Sequence, residues 1–165
     1  MARSRKAGNL GGWLLIAAVL VALDQATKLA ILHSLRFAER VPVIGGVFDL
    51  TLVYNTGAAF SFLAGAGGWQ RWLFTGVGLA ATAFISWLLW RHGSQRLFAF
   101  SLTLILAGAI GNLIDRIRLG KVVDFILVYR DPWYFPAFNV ADSAITVGAV
   151  LLVVDELRRV RRARV

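Results

Sequence analysis

Residues 97–117 read LFAFSLTLILAGAIGNLIDRI, and this stretch decides the fold. A helix needs about 20 mainly apolar residues to cross the hydrocarbon core of a bilayer, and this run supplies them with its two charges, Asp115 and Arg116, held to one end. Three further runs of similar character, at 13–32, 69–90 and 138–157, predict an all-α membrane fold, a bundle of four transmembrane helices forming one integral membrane domain over residues 1–165. Composition agrees: of 165 residues, 58% are hydrophobic and 16% charged, and the apolar residues come in long blocks rather than alternating with polar ones. A cleaved signal peptide is the alternative for the first run, since Arg3, Arg5 and Lys6 precede it, but three later spans weigh against that reading.

The formal net charge of +9 raises nucleic acid as a partner, yet the basic residues sit in short segments flanking apolar runs, with Arg158, Arg159, Arg161, Arg162 and Arg164 closing the chain. Membrane anchoring is the expectation and nucleic acid is not. Absence of cysteine excludes disulfides, thiol nucleophiles and cysteine metal sites; His33 and His92 lie far apart, so no metal site is expected. The basic start, the 91–96 link and the tail put both termini and that link in the cytoplasm by the positive-inside rule.

Two connections, 33–68 and 118–137, are left outside. The first contains VFDLTLVY (47–54), which predicts a short strand or hairpin, a small β-like platform entered through Gly45-Gly46 and left through 65–68. The second contains VVDFILVY (122–129), strand-like or interfacial, followed by Asp131-Pro132 and Pro136, with Trp133, Tyr134 and Phe135 suited to the interface belt.

Ionisable groups inside a membrane cost about 2.5 to 3.5 kcal/mol each at the bilayer centre, so each needs a partner, a cavity or a task. Here they share one depth. Asp24 and Lys28 lie in the outer half of the first span, Asn112, Asp115 and Arg116 near the outer end of the third, and Asn139 and Asp142 at the outer start of the fourth. Asn55 and Asp124 sit in the outer connections, whereas the inner halves are almost free of charge. Gly108, Asn112 and Arg116 recur every four residues and share one helix face, the glycine permitting close approach of a neighbour. Asp24 and Lys28 have the spacing of a local ion pair, and Asp142 that of a helix-capping acid, so structural roles are open for both.

Asp124 has only apolar neighbours, Val122, Val123, Phe125, Ile126 and Leu127, and invites a partner. Were Asp124 and Asp142 to meet, two charges about 4 Å apart would repel by about 4 kcal/mol at an effective dielectric near 20, so one would keep a proton. An acid beside a carboxylate can deprotonate water and polarise a peptide carbonyl, which is aspartic-protease chemistry.

The segments DQATK (24–28), YNTGAAFS (54–61), GAIGNLIDR (108–116), VVDF (122–125) and FNVADSAI (138–145), in this order on four spans, resemble those of bacterial lipoprotein signal peptidase, also called signal peptidase II. The resemblance implies that Asp124 and Asp142 match a catalytic pair and that Asp24, Asn55, Gly108, Asn112, Arg116, Asn139 and Ala141 match positions around it. It further implies a diacylglyceryl-modified prolipoprotein substrate cut just before the lipidated cysteine, no cofactor, sensitivity to globomycin, and an inner-membrane site on the periplasmic side. A monomer in contact with membrane lipid is expected. A proton-coupled transporter would need acids at several depths, and a purely structural protein would use the polar residues only to join helices.

Overall fold

Four helices and a four-stranded sheet make up the computed structural model, which describes residues 9–57 and 67–163. The expectations on Arg3, Arg5, Lys6 and Arg164, on the 58–61 end of the YNTGAAFS motif and on the 65–66 end of the glycine-rich exit lie outside the described residues. The helices are α1 (Leu10–Ser34), α2 (Gln70–His92), α3 (Arg96–Leu119) and α4 (Val140–Ala163). Each covers most of an expected run. α1 begins earlier than its apolar run because Asn9 caps it, accepting the Gly12 N–H at 3.0 Å. Among the described residues α1, α2 and α3 are long and apolar enough to cross a membrane. α4 has comparable length, but Asp142 near its start and Asp155 and Glu156 further on make it less apolar.

α3 is the central helix, packed against α1, α2 and α4. Small residues let it come close to α4: a Cβ on Gly108 would overlap the Ala141 carbonyl oxygen, and one on Gly148 would lie 2.7 Å from the Ser101 carbonyl. By contrast, Leu15, Val19 and Leu23 of α1 and Trp72, Val77 and Phe84 of α2 stand exposed, as side chains facing lipid do.

The strands are β1 (Arg40–Ile44), β2 (Phe48–Asn55), β3 (Val122–Arg130) and β4 (Trp133–Tyr134), antiparallel in the order β1-β2-β3-β4. The expected hairpin is present, and Gly46 takes φ of 78° in its turn, where the Val47 N–H donates to the Ile44 carbonyl at 3.0 Å. The platform and the interfacial segment, expected as separate features, are one sheet. β3 is long enough and sufficiently β-branched to pair along β2, with Val53 opposite Asp124 and Asn55 opposite Val122. Its first four residues, Val122 to Phe125, are all buried rather than alternating, because this half of the strand is covered on both faces. Gly120, at φ of 73°, closes α3 and turns the chain into β3, so Asp124 follows directly from the end of the central helix.

Candidate active site

The start of α4 carries a reciprocal cap. The Asn139 side-chain oxygen accepts the Asp142 N–H at 2.9 Å, and the Asp142 carboxylate accepts the Asn139 N–H at 3.3 Å, two first-turn donors satisfied by two side chains three residues apart. The capping role open in the sequence is therefore real for Asp142. It does not exhaust the residue, whose other oxygen accepts from Asn112 Nδ2 at 2.7 Å.

Asn139 joins the two acids. Its Nδ2 donates to Asp124 Oδ1 at 2.7 Å and to the Val123 carbonyl at 3.2 Å, while its oxygen and backbone hold Asp142. Asp124 also hydrogen-bonds Asn55 across the β2–β3 ladder. Burial, and then the Asp142 charge, push the Asp124 carboxyl up to about 7 against these amide donors. The acids thus lie within electrostatic reach of each other.

Beside them lies a buried charge cluster. Lys28 Nζ is 2.9 Å from Asp24 and 2.9 Å from Asp115, all three almost fully buried, and it donates to Asn112 Oδ1 at 3.0 Å. An ammonium only donates, so it fixes the Asn112 oxygen toward itself and turns the Asn112 NH₂ toward Asp142. Asp24 reaches further: its Oδ1 accepts the Ala141 N–H at 2.9 Å, capping α4 from α1 and setting where the helix carrying Asp142 begins.

The structure brings together every residue the sequence singled out. Asp124, Asp142, Asp24, Lys28, Asn112 and Asn139 form one hydrogen-bonded network, with Asn55 on Asp124 and with Gly108 and Ala141 at the α3–α4 contact. Arg116 stands at the rim, half-buried, donating to the Gly57 carbonyl at 3.1 Å and lying over the Phe74 ring. Three participants were not singled out as site residues. Asp115 pairs with Lys28 and accepts the Val123 N–H at 3.2 Å, tying β3 to α3. Gln25 donates to Asp24 and Asp115 at 3.1 and 3.0 Å. Gly111 lies so close to Asp24 that a Cβ there would be 2.6 Å from its Oδ2. The three-residue spacing of Asn112 and Asp115 on α3 was the available signal, since it puts both on one face.

Among the described residues no group of three or more His, Cys, Asp or Glu side chains is arranged to hold a metal ion. What the network offers is acid–base chemistry at two carboxyls with fixed amide partners.

Comparison with known proteins places the whole chain. Residues 16–158 match the family model for signal peptidase (SPase) II. A lipoprotein signal peptidase of Cupriavidus necator is 61% identical over 91% of this chain and 85% of its own length. One from Burkholderia mallei is 56% identical over 95% of this chain and 94% of its own. A bacterial membrane enzyme solved by the in meso method at 2.3 Å superposes with a TM-score of 0.83 at 29% identity, over 94% of this chain and 93% of that one. A second, at 1.9 Å, gives 0.79 at 31% identity, over 92% and 96%.

Proposed function

The chain belongs to the signal peptidase II family and is a peptidase, and from that premise we propose that it works as an intramembrane aspartic endopeptidase on lipoprotein precursors. The observation that carries the reading is Asn139, whose one side chain and backbone N–H hold both Asp124 and Asp142. In the mechanism the ionised aspartate takes a proton from water while the protonated one donates to the scissile carbonyl, giving a tetrahedral gem-diol; the C–N bond then breaks as the proton taken from water passes to the departing cysteine nitrogen and a gem-diol hydroxyl returns its proton to the other aspartate, freeing the signal peptide as a carboxylic acid. Asn112 and Asn139 orient the pair, Lys28 orients Asn112, and Asp24 with Gly108 and Ala141 sets the height of α4.

The substrate is a prolipoprotein bearing a diacylglyceryl-modified cysteine, cut just before that cysteine. Exposing a peptide bond at membrane depth leaves its polar groups in need of partners, which Arg116 and Asn55 at the rim supply. The 47–62 region, which includes β2, clamps the extended segment from above, with Asn55 reaching toward the pair; residues 58–62 lie outside the described residues. Globomycin competes for the same cleft. The 138–157 run, most of which lies in α4, serves as the fourth span, giving one integral membrane unit that acts as a monomer. Arg91, Arg96 and the arginines of the α4 tail all fall at the end opposite the sheet, which supports cytoplasmic termini and a periplasmic site in the bacterial inner membrane.

The test is cleavage of a diacylglyceryl-modified precursor by the purified full chain in detergent. Cleavage before the modified cysteine, lost in both D124N and D142N and blocked by globomycin, is the expected result. Retained cleavage in either variant contradicts the assignment.

A further inference from the structure

At the end of the bundle remote from the two aspartates, the start of α3 and the last turns of α4 enclose a cavity of about 350 Å³ lined by Gln95, Arg96, Asp155, Arg158, Arg159 and Arg162. About 24 Å of helix separates Arg158 from Asp142, so this space is independent of the peptidase site. Four guanidinium groups share one carboxylate. Asp155 pairs with Arg159 at 3.1 Å, and Arg159 also lies over the Phe98 ring at 5.2 Å. Among the described residues Arg96, Arg158 and Arg162 contact no carboxylate.

A second source of positive potential opens on the same cavity. No side chain caps the N-terminus of α3, where Gln95 and Arg96 stand, so the first-turn N–H groups and the helix dipole add to the arginines. Aromatic residues set the depth. Trp87 and Trp90 near the end of α2 are exposed beside Arg91, whose guanidinium carbon is 5.4 and 5.9 Å from their rings, and Trp13 donates to the Gly93 carbonyl at 2.9 Å. Tryptophan collects at the boundary between hydrocarbon and headgroups, so the cavity opens at the level of lipid phosphates. Guanidinium groups match phosphate oxygens in geometry and charge, and three of them without a carboxylate partner in one recess exceed what general surface attraction requires.

We propose that this cavity is a binding site for a phosphate-bearing anion, supplied by the headgroup of an anionic phospholipid in the leaflet opposite the aspartates. The bound headgroup bridges α3 and α4 at the end where α4 is most charged, holding the pair of helices that carries Asn112 and Asp142 at its other end. The site goes beyond the peptidase reading and does not depend on it.

The experiment uses the purified full chain in a neutral detergent, titrated with dioleoyl phosphatidylglycerol, with dioleoyl phosphatidylcholine and with inorganic phosphate, following bound lipid by native mass spectrometry and the Tm. Phosphatidylglycerol is expected to bind and raise the Tm well below the concentration at which phosphatidylcholine does. In R158Q/R162Q the affinity should fall about 25-fold, at about fivefold per arginine. R91Q/R161Q, which removes the same charge at the same end outside the lining, should keep it. Both arginines of the first pair are exposed, so folding is not at stake, and the lipid comparison in the parent protein stands without any variant. Stabilisation by inorganic phosphate that R158Q/R162Q abolishes, with no preference between the lipids, supports the site with a soluble anion as its source. Equal losses in the two double variants, or neither lipid preference nor phosphate stabilisation, overturn the proposal.

Discussion

Two groups of carboxylates lie within one network at the same end of the bundle, and they are satisfied in different ways. Asp24 and Asp115 share the Lys28 ammonium through two ion pairs of 2.9 Å. Among the described residues Asp124 and Asp142 form no ion pair; Asn55, Asn112 and Asn139 supply their partners. A carboxylate in contact with a cation is held as a fixed acceptor, and here it serves to cap α4 and anchor β3. One held only by amide donors in a buried place keeps its proton within reach of neutral pH. On the proposed mechanism, the difference separates the part of the network that builds the site from the part that would react.

The largest effect should come from removing one of the two acids proposed to react. D124N and D142N should each lower cleavage by about 10³-fold or more, the upper part of the range for acid–base groups, measured as turnover of a lipidated precursor. Neither should lose its fold. The fold favours protonated Asp124, so that group's contribution to stability is fully present below its ordinary value of 3.8 and is lost as pH rises to about 7. At pH 8 the Tm of D124N should therefore equal or exceed that of the parent.

Removing the cation of the other group should do the reverse. K28M leaves two buried acids uncompensated and should destabilise the protein by about 3 to 5 kcal/mol, read from thermal unfolding in detergent. If K28M unfolded like the parent, Lys28 would not be holding the cluster. N112A lies between the two regions, since it touches Lys28 and Asp142 together. Loss of a hydrogen bond to a charged group should lower kcat about 10- to 100-fold, with a smaller loss of stability than K28M shows. The smallest effect is in pH. On the proposed mechanism the pair works with one proton, so kcat/KM should fall as pH rises through about 7, the value to which Asp124 is raised, while the fold persists.

Much of this was legible in the sequence because membranes make polar residues conspicuous. Asp24, Lys28, Asn112 and Arg116 stand out against apolar runs, and helical spacing placed Gly108, Asn112 and Arg116 on one face before any contact was known. The union of β3 with the hairpin was not legible, because register depends on a pairing between segments far apart in the chain and 122–129 also reads as an interfacial segment. Spacing alone leaves Asn139 a cap, since a residue three before an acid looks the same whether or not its amide reaches a second acid; only the family resemblance put it beside the pair. Asp115 was visible but not separable from a rim charge until Lys28 was seen to turn toward it.

Asp124 and Asp142 should titrate as one pair, which infrared detection of the Asp124 carboxyl band against pH, in the parent and in D142N, can read out. Since burial and the Asp142 charge both raise Asp124, its midpoint should lie near 7 in the parent and fall in D142N while staying above 3.8. A midpoint near the ordinary carboxylate value in the parent, or one that D142N leaves where it was, would contradict the account.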